Sequence, residues 1–183
     1  YLNGLKVFYE VNLMDSVYLH LLLNHIPVLG GIFGVLLLAY AMFRKSDELK
    51  NVSLLLLVFS ALVTIPVYLT GEPAEEGVEH LAGVSHDLIE LHEDAAKLAM
   101  IFMMVTGAVS LLGFIFMKIK SSAAKWLVLA ALVIGIVSAG LMARTASLGG
   151  PIRHSEIRTG GAAPQQENRT PDQKQEKTKN DDH

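Results

Sequence analysis

Apolar and polar stretches alternate along the chain so as to leave four long hydrophobic runs, 17–43, 52–69, 91–117 and 126–143, parted by polar segments. Each run is close to or above the roughly 20 residues that a helix rising ~1.5 Å per residue needs to cross ~30 Å of hydrocarbon. Short connectors make consecutive helices antiparallel, so the pattern predicts an all-α fold: a transmembrane four-helix up-down bundle. Residues 1–16 are expected to form an interfacial segment, with Asp15 or Ser16 placed to cap the helix that follows. After the fourth run, Gly149-Gly150-Pro151 is expected to break the helix and turn the chain back over the bundle mouth. Residues 17–158 then make one transmembrane domain. Residues 159–183 make a polar C-terminal tail with no aromatic or large aliphatic side chain. Such a segment cannot bury enough apolar surface to fold alone. It is expected to lie along a partner protein through polar contacts. No repeat period is evident.

Loop charge predicts the orientation. Arg44, Lys45 and Lys50 follow the first run, and Lys118, Lys120 and Lys125 follow the third. The segment between the second and third runs holds no Lys or Arg and carries Glu72, Glu75, Glu76 and Glu79. By the positive-inside rule both basic loops are cytoplasmic, and both termini and the acidic loop are outside, in the periplasm if the cell is bacterial.

Composition narrows the chemistry. Apolar residues make up 51% of the 183, and the formal net charge of −3 gives no global basic signal for nucleic acid. There is no cysteine, which excludes disulfides, Cys-ligated zinc, iron–sulfur clusters and covalent haem attachment. No cleavable signal peptide is expected, because the first apolar run is long and polar at its mouth. No P-loop and no Gly-x-Ser-x-Gly is present. The spans also lack the dispersed charges of an ion pathway.

The candidate chemistry lies in histidines. His20, His25, His80, His86, His92 and His154 all fall at the end of the bundle away from the basic loops. They come from the mouth of the first span, the approach to the third and the exit of the fourth. At ~100° per residue, His20, Asn24, Pro27, Gly31 and Gly34 share one face of the first span, read as bundle-facing, with His25 rotated away. His92 shares a small-residue face with Ala96, Ala99, Met103 and Thr106, so it is expected at the upper end of the core. His80 and His183 read as ordinary polar residues. His20, His25 and His92 could equally hydrogen-bond loops and waters. Glu93 with Lys97 reads as an i,i+4 pair.

His25-Ile26-Pro27, the four spans and the closing Gly149-Gly150-Pro151-Ile152-Arg153-His154-Ser155-Glu156-Ile157 resemble small bacterial four-span membrane proteins grouped as a domain of unknown function. The resemblance covers roughly residues 17–158. Some such proteins are similar to redox-associated membrane subunits, which implies a haem or metal centre in a bacterial inner membrane.

Three functions are therefore expected to compete. The first is a b-type haem subunit, non-catalytic, passing electrons to or from partner proteins. Its ligands would come from His20, His25, His92 and His154, paired as His25 with His92 or His20 with His154, with Arg144, Arg153 or Arg158 on the propionates. The second is a non-haem copper, zinc or iron site, for which His86, Glu72 and Glu76 are the candidate ligands. The third is a cofactor-free structural subunit of a larger membrane complex, in contact with lipid and with protein partners through the tail 159–183.

Overall fold

The structure, a computed structural model, describes residues 15–81 and 84–153. The interfacial segment up to residue 14, His154 and the tail 159–183 lie outside the described residues. Among those described, every regular element is a helix: α1 Asp15–Phe43, α2 Asp47–Leu69, the short α3 Gly71–Glu76, α4 His86–Lys118 and α5 Ala124–Arg153. All but α3 are long and apolar enough to span a membrane.

The helices run beyond the apolar runs because polar residues start and stop them well. Ser46 accepts a hydrogen bond from the Leu49 N–H, 3.3 Å, and Asp47 and Glu48 sit in the first turn of α2, where the helix dipole favours negative charge. The two basic turns are built alike. Lys45 and Lys120 both adopt left-handed backbone, at φ 53 and 54°. The Ser46 N–H then reaches back to the Ala41 carbonyl at 3.0 Å, and the Ser121 N–H to that of Phe116 at 3.0 Å. Both close the preceding helix in the same six-residue motif.

Two prolines behave differently from a simple breaker. Pro27 cannot donate to the Leu23 carbonyl, and the regular helix of α1 is interrupted at Asn24 before resuming over His25–Phe43. The expectation that Gly149-Gly150-Pro151 ends the last span is corrected: α5 runs through all three to Arg153. Pro151 lies in the final turn, where one lost hydrogen bond is tolerated. The segment after Thr70, expected as a loop, folds into α3.

The four long helices close into a ring in which α1 packs on α2, α2 on α4, α4 on α5, and α5 on α1. α1 and α4 are therefore diagonal. They meet across the centre at Gly31, where a Cβ would stand 2.9 Å from Met103 Cε. Towards the basic turns the core is Val35, Leu38, Leu54, Leu57, Val128 and Ala131. Towards the other end it is Ala61, Ala99, Met103 and Met142. The face expected to look inward does so: Pro27, Gly31 and Gly34 are buried.

Polarity is distributed as a bilayer requires. Ser53, Ser60, Thr64, Thr106, Ser110 and Ser138 are buried inside, while Phe33, Leu36, Leu62, Ile101, Val133 and Ile136 are exposed outside. Most of the inner hydroxyls bond a carbonyl one turn back on their own helix, such as Thr64 to Ser60 at 2.8 Å and Thr106 to Phe102 at 2.8 Å. That leaves a surface with no competitor for lipid. The chain is a multi-pass membrane protein.

Candidate functional site: a pair of anchored histidines

The bundle is built from two helical hairpins, α1–α2 and α4–α5. Towards the end opposite the basic turn, α1 carries His20 and His25 and α4 carries His86 and His92, and one histidine of each helix reaches across its hairpin. Nδ1 of His20 lies 3.0 Å from the Val67 carbonyl of α2. Nδ1 of His92 lies 3.0 Å from the Thr145 carbonyl of α5. A carbonyl oxygen only accepts, so both Nδ1 atoms carry the proton and both Nε2 atoms keep the lone pair. Thr70 stands beside the first pair: its Oγ1 is 3.4 Å from His20 Nδ1 and bonds the carbonyls of Pro66 and Val67 at 2.9 and 3.0 Å.

Each ring also lies against a glycine of its hairpin partner or just beyond it. A Cβ at Gly71 would stand 3.8 Å from His20 Cε1, and one at Gly149 would stand 3.3 Å from His92 Cε1. Gly149 thus leaves room for an imidazole within a continuing helix. Both histidines are half-buried. Among the described residues neither Nε2 has a hydrogen-bond partner.

The other candidates are placed elsewhere. His25 is exposed on the outer face with Leu29 and Leu36, its Nδ1 3.3 Å from the Leu21 carbonyl of its own helix. It faces away from the core that His92 enters. His80 is exposed and 3.2 Å from Glu79, as expected of an ordinary polar residue. Lys97 bonds Glu93 at 3.0 Å, the expected helical pair, and also lies 3.7 Å from Asp94. Arg144 is exposed. His154 and Arg158, which would complete the second pairing and one propionate contact, lie outside the described residues.

The acidic segment lies against the start of α1, where a Cβ at Gly77 would stand 2.8 Å from Val17 Cγ2. Partial burial, reinforced by the carboxylates of Glu93, Glu79 and Glu72, raises the Glu75 carboxyl above its ordinary range, with His86 opposing. His86, Glu72 and Glu76, the expected non-haem ligands, are all exposed, and among the described residues no group of three or more His, Asp or Glu side chains is placed to hold a metal ion.

Sequence reasoning missed the carbonyl partners, because Val67 and Thr145 contribute only backbone. It also missed Gly149 as a cradle rather than a breaker. The available signal was the sequence of landmarks shared by the halves: a histidine, a lysine–serine turn, then a glycine at the far end of the second helix.

Metal-ligating histidines characteristically donate their second ring nitrogen to a carbonyl or carboxylate, which fixes tautomer and ring orientation. Two such imidazoles, without a carboxylate between them, form a donor set suited to haem iron rather than to a hard cation. Comparison of the chain with protein-family models, with curated proteins and with solved structures found no match.

Proposed function

We propose that the protein is a redox-associated membrane subunit that holds a b-type haem between His20 and His92. The observation that carries the reading is the paired anchoring: on diagonal helices, each Nδ1 is tied to a backbone carbonyl of its own hairpin, and neither Nε2 has a hydrogen-bond partner among the described residues. A bound haem would supply one-electron exchange between ferric and ferrous iron. The protein's part is to fix the two nitrogens and insulate the site from lipid. The resemblance to redox-associated four-span proteins favours the same reading. The pairing differs from both pairs expected from the sequence, since His25 faces outward.

The test is an optical spectrum of the purified protein together with its metal content. A Soret band of low-spin character and near-stoichiometric iron are expected. A colourless, iron-free protein after expression with adequate haem overturns the reading.

On this reading the histidine end faces the periplasm of a bacterial inner membrane, with both termini on that side and the basic turns in the cytoplasm. Electrons would pass to or from partner proteins met at that face, with the tail 159–183 contributing polar contacts. An impermeant thiol reagent should fail to label a cysteine placed at Asp47 in intact cells; labelling would reverse the orientation.

The cofactor-free alternative, a structural subunit of a larger complex, draws on Gly140. It is exposed on α5 with nothing within 4 Å of a Cβ there, an opening where another helix could approach closely.

A further inference from the structure

The two hairpins differ one turn inside their histidines. Ala96 follows His92 at the fourth position, whereas Asn24 follows His20. Asn24 sits where α1 loses its regular hydrogen bonding, with its own N–H still bonded to the His20 carbonyl at 2.9 Å. Its side-chain oxygen is buried and has no hydrogen-bond partner among the described residues. A buried acceptor left unmatched is costly, and native interiors pair such atoms with protein groups or with ordered water. The interior position follows from phase: Asn24 shares the face of α1 that carries His20 and the buried Pro27 and Gly31. Nothing else in the helix needs an asparagine, since the residue makes no side-chain cap for α1.

The acceptors gathered at this end are all of one kind. The Asn24 Oδ1 and both imidazole Nε2 atoms offer lone pairs, and no donor faces them among the described residues. Iron would account for the nitrogens but not for the amide oxygen, which lies one turn deeper. A small neutral donor would account for it, and water is the donor that fits a polar position inside a bundle.

We propose that Asn24 is a positioning residue that holds a water molecule on the inner side of the histidine pair, and so sets the polarity of the site from one side only. The inference rests on the haem reading for its electrochemical consequence, and not for its effect on stability. Water near a haem favours the more highly charged ferric state. Removing it favours the ferrous state and raises the midpoint potential.

The experiment compares Asn24→Ala with Asn24→Ser in the full chain. The two replacements have nearly the same volume and differ by one hydroxyl. Thermal unfolding in detergent is read for both, and the midpoint potential wherever haem is bound. The expected result is that Asn24→Ala unfolds at lower temperature than the parent and Asn24→Ser recovers most of the loss. In the haem-loaded protein, Asn24→Ala should also shift the reduction equilibrium several-fold towards the ferrous state, with Asn24→Ser close to the parent. Equal behaviour of the two variants would assign Asn24 a space-filling role and overturn the proposal. So would an Asn24→Ala protein more stable than the parent, which would mean that no water or other donor matches the oxygen. If no haem is bound, the reading of function fails by its spectrum, and the stability comparison still decides the role of Asn24.

Discussion

Within the first hairpin, Gly34 on α1 faces Leu57 on α2, and a Cβ on that glycine would stand 2.7 Å from the leucine. Within the second, Thr106 on α4 faces Gly135 on α5, 3.6 Å from where a Cβ would be. The small residue has changed sides. The positional offset that relates His20 to His92 also relates Gly34 to Thr106, and the offset that relates Val67 to Thr145 relates Leu57 to Gly135. In each interface a small residue faces a larger one, because close packing requires the two surfaces to complement each other and not that a given helix supply the small residue. What the hairpins keep in kind is the anchored histidine, its carbonyl and its glycine. What they vary is the filling around those groups.

The largest effect tests the equivalence at the site itself. On the proposed haem reading, His20→Ala and His92→Ala should each remove most of the haem that the parent protein binds, and to a similar extent, because a two-nitrogen site loses its grip whichever nitrogen is deleted. His25→Ala and His80→Ala should leave the spectrum unchanged. Haem retained in full by either of the first two variants would break the pairing.

A smaller effect comes from Leu38 and Ser110, which occupy corresponding positions and are both fully buried. Leu38 belongs to the apolar core near the basic turns, whereas Ser110 Oγ has no hydrogen-bond partner. Leu38→Ala should destabilise the bundle by about 2–5 kcal/mol through lost burial and a residual cavity. Ser110→Ala should be neutral or stabilising, because it removes an unmatched polar atom. Denaturant or thermal unfolding in detergent would show the opposite signs, and a large loss in Ser110→Ala would reveal a partner for that hydroxyl.

The smallest effect lies where the hairpins diverge in course. After Gly71 the chain enters the acidic α3, whereas after Gly149 α5 simply continues. Partial burial, with the neighbouring carboxylates, raises Glu75 in the folded protein. The folded state then binds the proton more tightly than the unfolded state, so this contribution to stability is present below the ordinary carboxylate range. It is lost as pH rises through the raised value. Glu75→Gln should flatten the pH dependence in that window and leave the protein marginally more stable above it. The change should be slight because the group is largely open to solvent. A steeper dependence in the variant would mean that the crowding is relieved in solution.

Four apolar runs, two basic turns and the lack of cysteine were enough to read a four-span α-helical membrane protein. Hydropathy acts over twenty residues at a time, and no local detail can cancel it. Helical phase likewise placed Pro27, Gly31 and Gly34 on the inner face. The partner of each histidine was decided only by the tertiary structure. His25 and His20 are both histidines at the same mouth, yet one bonds its own helix on the outside and the other reaches a carbonyl of α2. Backbone acceptors carry no residue identity, so Val67 and Thr145 left no mark to read. The same holds for Gly149, which reads as a helix breaker in sequence and is a cradle for a ring in space.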